Sequence, residues 1–251
     1  MSLIKEQEIE KYAIHMQKRF RGSSCRFHRL PTVLYAIQRL LSEKGKHGNI
    51  QFSRQNADGR INSSIDEDMV LNVIVDHFGD SRIKRPKSRM WYDFLAYDYT
   101  YGYIPVNIKT TTTKSADNTG NLAMCVYSYT DEPMDIHKSY ENGPMSVILS
   151  KKLRAKEYNK NSKRDYYFVV LNKTVPGDVI VNSLKGLTHL TPNINNLPFQ
   201  INWNKNRVFR YQRVEHAVKM FVNCVKNARP SWRETFVQDM RKLDDNDDVI
   251  R

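Results

Sequence analysis

The sequence has too few cysteines to be organised around disulfide bonds. Its three cysteines lie far apart, at positions 25, 125 and 224, and none belongs to a C-x-x-C spacing. The seven histidines also lack the paired spacing of a metal site. We therefore expect neither a disulfide framework nor a zinc finger, and we expect reduced thiols of the kind found in the cytoplasm.

Long apolar runs are absent as well. No stretch approaches the roughly 18 apolar residues of a membrane span, and the charged N-terminus MSLIKEQEIEKY does not resemble a signal peptide. The hydrophobic share of 40% is ordinary for a folded soluble protein and too high for a disordered one. The 251 residues therefore predict one domain, or one domain with arms, with no membrane partner and a cytoplasmic location.

Negative charge is in short supply. The chain has 40 Lys and Arg residues against 27 Asp and Glu residues, which gives a net charge of +13. A surplus of this size favours a polyanionic partner, although it can also serve solubility alone. Because the basic residues occur in clusters and are interleaved with 14 tyrosines and three tryptophans, nucleic acid is the favoured partner.

The hydrophobic pattern predicts helices before and after a group of strands. Helices are predicted at 4–20, 31–41, 64–78 (with Ser64 as N-cap), 211–227 and 231–243. Strands are predicted at 91–99, 103–111, 122–129, 146–149, 166–171 and 178–184. This order indicates an α/β (α+β) fold with a central mixed sheet flanked by helices. Residues 1–48 are expected to form a helical arm used in dimerisation, and residues 49–251 the core.

The predicted hairpin at 91–111 carries the most informative group of residues. Because side chains alternate along a strand, Asn107 and Lys109 share one face while Val106 and Ile108 face the core. A turn near Gly102 can bring Asp93 of the preceding strand beside them. A carboxylate, a second oxygen ligand and an ammonium group at one spot suit the Mg²⁺-assisted hydrolysis of a phosphodiester.

The same residues carry a family resemblance. The pattern D-x(13)-N-x-K from Asp93 to Lys109 resembles the PD-(D/E)xK nuclease signature, with Tyr92 replacing the proline and Asn107 the second acid. The stretch IKTTTT is similar to the lysine-bearing strand of blunt-cutting type II restriction endonucleases of the EcoRV-like group. Residues 59–74 resemble the small-residue loop and Glu-bearing helix of that group, and the region from Asn193 onwards resembles its recognition segment and C-terminal helix.

The resemblance implies a restriction-endonuclease-like core and an Mg²⁺-dependent, site-specific deoxyribonuclease that acts on double-stranded DNA as a homodimer. Asp93 would be a metal ligand, joined by Asn107 and the backbone carbonyl of Ile108. Lys109 would be the catalytic lysine. Glu67 would be a carboxylate contributed by the preceding helix, although the spacing Ser64-x-x-Glu67 also fits a helix-capping box. Thr110 and Thr111 would line the cleft near the scissile backbone.

The asparagine at the second acidic position has three interpretations. It can be a neutral and weaker ligand in a site that relies on Glu67 for charge. It can be an Asp→Asn replacement that traps uncut DNA. It can also mark an inactive relative of the nucleases. Full activity is expected only in the first case, and the sequence does not decide among the three.

Two further regions are candidates for DNA contact. The segment 82–89 has five basic residues in eight, and Lys84, Arg85, Lys87 and Arg89 could reach phosphates or a minor groove. Asparagine and glutamine amides can pair with adenine in the major groove, and the amide-rich segment near 190–204 supplies several. The candidate base-reading residues are Asn193, Asn195, Asn196, Gln200 and Asn202, with Arg60 and Asn62 as a second group.

Two other classes of function remain open. A sequence-specific DNA-binding protein without catalysis would share the charge and the recognition segment, and Asn107 favours this alternative. An RNA-binding protein would share the charge and the aromatic residues, but the sequence contains no RNA-binding motif.

Overall fold

The computed structural model describes residues 29–53, 59–87, 90–134, 145–193, 199–228 and 234–244. Its helices are α1 (Thr32–Lys46), α2 (Gly59–Phe78), α3 (Leu122–Tyr129), α4 (Met145–Arg154), α5 (Val214–Lys226) and α6 (Glu234–Asp244). Its strands are β1 (Ile83–Lys84), β2 (Phe94–Asp98), β3 (Gly102–Thr111), β4 (Ala116–Asp117), β5 (Tyr167–Asn172), β6 (Val179–Ser183), β7 (Leu190–Pro192) and β8 (Phe199–Asn202). The helix predicted at 4–20 lies outside the described residues.

The centre of the molecule is a five-stranded mixed sheet in the order β1-β2-β3-β5-β6. β3 runs parallel to β5, and the other neighbours are antiparallel. Gly102 makes the turn of the β2–β3 hairpin at φ +70°, a backbone conformation that glycine adopts without strain. A three-stranded sheet in the order β4-β8-β7 lies beside it. The predicted mixed sheet flanked by helices is confirmed.

Helices cover both faces of the central sheet. On one face, α1 and α2 bury Leu34 and Ile74 in a cluster with Ile104 of β3. On the other face, α3, α4, α5 and α6 form a larger cluster in which Phe221 packs with Phe168 of β5. Helix α1 falls inside the region predicted to be a dimerisation arm, yet its apolar face packs within the chain. In the described ranges, none of the helices combines the length and the apolar character that a membrane crossing requires.

Two predicted strands are helices. Residues 122–129 form α3, and residues 146–149 fall inside α4. A short, fully apolar run has no periodicity that separates a buried strand from a buried helix. At α3 the deciding feature is a helix cap, because the Asn121 side chain accepts a hydrogen bond from the Met124 N–H at 2.8 Å.

Two boundaries also differ from the sequence prediction. Helix α2 begins at Gly59, so Ser64 lies inside the helix and cannot cap its start together with Glu67. The prediction of a capping box was therefore wrong. In the basic segment 82–89, where no helix or strand was predicted, Ile83 is buried and pairs with Ala96, which adds β1 as a short edge strand. The burial of Ile83 gives this otherwise polar pair of residues an apolar anchor on the sheet.

Candidate functional site

The site lies where β3 continues past its neighbour β2. The pairing of the two strands ends at Phe94 and Val106, and Asp93, predicted to lie within the strand, immediately precedes it. The Asp93 carboxylate oxygen Oδ2 accepts hydrogen bonds from the backbone N–H of Ile108 at 2.6 Å and from Asn107 Nδ2 at 2.7 Å. Along this part of β3, the Asp93 carboxylate accepts the backbone hydrogen bond that a carbonyl of a neighbouring strand would otherwise accept.

Glu67 joins the same edge from helix α2. Its Oε1 accepts a hydrogen bond from Lys109 Nζ at 3.0 Å, and both side chains are largely buried. The backbone N–H of Thr110 lies near enough to the Glu67 carboxylate to lower its pKa slightly. Glu67 and Lys109 are 42 residues apart in the chain, and the packing of α2 against the sheet brings them into contact.

Burial sets the electrostatics of the two carboxylates. It raises the pKa of Asp93 and of Glu67, and the nearby Lys109 ammonium opposes the rise in both. The charge of Asp93 raises the pKa of Glu67 further. Desolvated carboxylates that repel each other are stabilised in the charged form by a cation held between them.

The oxygen atoms at this edge fit a magnesium ion. Asn107 Oδ1 is buried and accepts no hydrogen bond from any described residue. In a strand the N–H and C=O of one residue point to the same side, so the Ile108 carbonyl faces the same edge as its N–H. Within the described part of the chain, no three His, Cys, Asp or Glu side chains are grouped closely enough to bind a metal. The possible ligands are the carboxylates of Asp93 and Glu67 and the neutral oxygens of Asn107 and Ile108. Two carboxylates are enough for Mg²⁺, because that ion keeps several of its waters.

The two threonines after Lys109 lie on opposite faces of the sheet. Thr110 is buried, and its hydroxyl has no hydrogen-bond partner among the described residues. Thr111 shares the face of Lys109, and its hydroxyl donates to Asp117 Oδ1 at 3.0 Å. Of the two threonines predicted to line a cleft, the structure brings Thr111 to the more accessible position.

Asp117 is a carboxylate near the site that the sequence did not indicate. Burial raises its pKa, while the Thr111 hydrogen bond and the charge of Lys109 lower it. Its position depends on the pairing of β4 with β8, in which Asp117 lies opposite Ile201. Because β4 has two residues and a polar sequence, no periodic pattern could have revealed it.

The basic segment at 82–87 lies at the outer edge of the sheet. Lys84 is exposed, pairs with Leu95 and places its ammonium 4.4 Å from the centroid of the Tyr103 ring. Arg85 is hydrogen-bonded to Asn72 of α2 at 2.5 Å, and Lys87 is exposed. The antiparallel register carries the chain from Lys84 towards the Asp93 end of β2. Arg89 lies outside the described residues.

The segment predicted to read bases contains β7 and β8, which pair as an antiparallel hairpin. Asn193 Nδ2 and Gln200 Nε2 both donate to Asn118 Oδ1, each at 2.9 Å. Asn202 pairs with Ala116, and its side chain accepts a hydrogen bond from the Lys205 N–H. The loop of the hairpin, with Asn195 and Asn196, lies outside the described residues.

The second group of candidate base-reading residues lies at the start of α2. Asn62 Oδ1 accepts a hydrogen bond from the Ser53 hydroxyl at 3.3 Å. The backbone of Arg60 belongs to the helix, but its side chain is not among the described parts of the chain. DNA contact by these residues, as by those of the hairpin, stays a prediction.

The chain was also compared with known proteins. No family model matches it, and the search of curated proteins returned no match.

Proposed function

We propose that this protein is an Mg²⁺-dependent, sequence-specific endonuclease of double-stranded DNA, of the PD-(D/E)xK type. The observation that carries the proposal is the meeting of Asp93, Glu67 and Lys109 along the free edge of β3. Glu67 comes from helix α2, Lys109 from β3 and Asp93 from the residue just before β2, and their spacing matches the resemblance seen in the sequence. The net charge of +13 favours a polyanionic substrate.

In this proposal Asp93, Glu67, Asn107 and the Ile108 carbonyl hold Mg²⁺. The ion would polarise the phosphoryl oxygen and lower the pKa of a bound water. Lys109 provides a positive charge that stabilises the charge developing on the phosphoryl group. Asp93 stays fixed during this step because the backbone N–H of Ile108 holds it, and Glu67 is held by its ion pair with Lys109. The products would carry a 5′-phosphate and a 3′-hydroxyl.

Cutting both strands of a palindromic sequence needs two such sites, which a symmetric homodimer supplies. The exposed basic residues near Lys84 would contact phosphates, and the amides of the β7–β8 hairpin would contact bases. Each surface belongs to an element that pairs with a segment next to β3 in the chain, since β1 pairs with β2 and β8 pairs with β4.

A second function has a specific observation in its favour. Asn107 donates to Asp93 at 2.7 Å, so a neutral amide occupies one carboxylate oxygen that a metal ion would otherwise bind. A sequence-specific DNA-binding protein without catalysis would have no need of a second acid at this position. In that case the basic and amide-rich surfaces would remain useful while the edge of β3 would serve stability.

The deciding experiment is the digestion of plasmid and phage DNA with Mg²⁺ by the chain as given, by Asn107→Asp and by a control variant, Asn227→Asp. Asn227 is exposed at the end of α5, so the control adds the same charge far from the carboxylates. Discrete fragments from the given chain would make Asn107 a working ligand. Discrete fragments only from Asn107→Asp would show a site disarmed by the amide. Binding without cutting by all three proteins would favour the non-catalytic function.

A further inference from the structure

The β4 segment physically connects the proposed catalytic edge to the recognition hairpin. β4 consists of Ala116 and Asp117, and it is held to β8 by two residue pairs. The chain reaches it from the end of β3 in four residues. A movement of the hairpin therefore acts on a short segment that is directly continuous with Lys109 and Thr111.

On the catalytic side, Asp117 controls the hydroxyl of Thr111. That hydroxyl donates its single proton to Asp117 Oδ1 at 3.0 Å, and its oxygen accepts a bond from the Thr113 N–H at 3.3 Å. A threonine hydroxyl has one proton to donate, so Thr111 cannot donate to a DNA phosphate while Asp117 holds it. The Asp117 charge also interacts with Lys109, and it would repel a phosphate that approaches the same face.

On the recognition side, Asn118 holds two of the predicted base-reading amides. Its Oδ1 accepts from both Asn193 Nδ2 and Gln200 Nε2 at 2.9 Å, although Asn118 itself is exposed. Reading adenine takes both the donor and the acceptor of an amide. Each amide NH2 group has a second proton, but to pair with a base the amide must aim its oxygen and one N–H at that base, and this turn changes the geometry of its hydrogen bond to Asn118.

We propose that Asp117 and Asn118 link base recognition to the catalytic edge, which makes Asp117 a specificity-determining positioning residue. In the free protein the Asn118 bonds hold β4 against the hairpin, and Asp117 withholds the Thr111 hydroxyl from DNA. A correct sequence draws the amides to its bases and weakens the hold of the hairpin on β4, which then keeps only its two residue pairs with β8, so that Asp117 can shift and Thr111 can donate to a phosphate beside Lys109. A wrong sequence leaves the restraint in place. The inference rests on the proposed DNA-directed function.

The test compares four variants with the parent: Asp117→Asn, Asn118→Ala, Thr111→Val and the control Asp131→Asn. Asp117→Asn keeps an oxygen acceptor but removes the charge, and Asn118 is exposed, so both proteins should fold. Asp131 is an exposed carboxylate near Lys152, and it is not part of β3, β4 or the hairpin. Each variant is made in the parent and in the Asn107→Asp background, and its thermal unfolding is measured first.

The readout is the set of DNA sequences at the ends of fragments cut from phage DNA, together with binding to a random-sequence duplex pool. Asp117→Asn and Asn118→Ala should each lower the ratio of preferred to non-preferred sequences about tenfold, which corresponds to one charge-assisted hydrogen bond at Asp117 and to two neutral hydrogen bonds at Asn118. Asp131→Asn should leave the ratio unchanged. In a Thr111→Val background, Asp117→Asn should have no further effect on the ratio, because the hydroxyl that Asp117 restrains is gone.

The outcomes separate the inference from the function on which it rests. An unchanged ratio in Asp117→Asn and Asn118→Ala would overturn the inference and leave the nuclease or DNA-binding function intact. A uniform loss of cutting and binding at all sequences would also overturn it, because that pattern indicates damage to the fold or to the site. Absence of both binding and cutting in both parent backgrounds would overturn the proposed function, and the inference with it.

Discussion

The two halves of β3 use the same strand geometry for different purposes. From Gly102 to Val106 the strand pairs with β2, and its side chains Ile104 and Val106 are buried. From Asn107 onwards β2 is no longer its neighbour, and the Asp93 carboxylate bonds to the backbone N–H of Ile108 while the Glu67 carboxylate bonds to Lys109 Nζ. Where strand pairing stops, acceptors from side chains replace backbone carbonyls. Buried charge therefore collects at one end of an otherwise apolar strand.

This comparison predicts that changes in the first half alter stability and changes in the second half alter chemistry. Ile104→Ala tests the first half, because Ile104 is 2% exposed and packs with α1 and α2. We expect the free energy of unfolding to fall by about 2–5 kcal/mol. The control Ile61→Ala makes the same change at a residue that is 51% exposed, and it should cost no more than about 0.5 kcal/mol. Chemical denaturation of the three proteins measures both values.

The rate of DNA cutting per folded molecule should be unchanged in Ile104→Ala. A loss of rate that exceeds the loss of folded protein would contradict the division of β3 into two halves.

In the second half of β3, the largest effect on the rate of DNA cutting is expected from a change at Lys109. Lys109→Ala should lower the rate of cutting about 100- to 1,000-fold, the usual effect of removing one group that stabilises a transition-state charge. The measurement is single-turnover cutting by whichever parent, Asn107 or Asn107→Asp, is active. The control Lys114→Ala removes an exposed lysine that lies five residues after Lys109, and it should have little effect on the rate of cutting. Equal losses in the two variants would point to a general effect of charge on DNA binding.

Binding of Mg²⁺ should change how the free energy of unfolding depends on pH, because the two carboxylates beside the second half of β3 would hold the ion. Burial raises the pKa of Asp93 and Glu67, so the folded chain binds their protons more readily than the unfolded chain. Their contribution to the free energy of unfolding therefore falls as the pH rises from the ordinary carboxyl range through the raised pKa values. Mg²⁺ competes with these protons. At about 100 times its Kd it should stabilise the protein by roughly 2.7 kcal/mol above that range, and by less below it.

Thermal unfolding with and without Mg²⁺, at constant ionic strength and at several pH values, tests this expectation. The double variant Asp93→Asn, Glu67→Gln is the matched control, since it removes both carboxylates. Stabilisation that is equal at all pH values, or that survives in the double variant, would place the ion elsewhere.

The fold was predictable from sequence where the residue pattern is regular. β3 and β5 were predicted at nearly their true bounds because long apolar stretches and the Gly102 turn define them. Residues 122–129 were not, because a run of eight apolar or small residues fits a buried helix as well as a buried strand. The Asn121 cap is a local feature that the sequence could have shown, whereas the packing of the helix on the sheet involves residues far apart in the chain.

The site was predictable to the extent that it is local. Asp93, Asn107 and Lys109 lie within one hairpin, so strand alternation and a turn were enough to predict that they meet. Glu67 was proposed from the resemblance, and its contact with Lys109 depends on the packing of α2. Asp117 was missed because the two-residue strand β4 is held in place by β8, which lies more than 80 residues further along the chain.

The smallest expected effect comes from a carboxylate that differs from Asp93 in its environment. Asp178 bonds to both Arg207 guanidinium nitrogens at 2.8 Å and to Asn172, and the hydrogen bond from Arg207 is the main reason that its pKa is lowered. Because the guanidinium is well exposed, Asp178→Asn should lower the free energy of unfolding by at most about 1 kcal/mol.

The contribution of Asp178 to the free energy of unfolding is present above the pKa of the unfolded state and is lost as the pH falls. Denaturation of Asp178→Asn and its parent across this range should therefore show a difference that shrinks towards acid pH. For Asp93 we expect the opposite slope, so equal slopes at the two aspartates would remove the distinction between a solvated ion pair and the buried edge of β3.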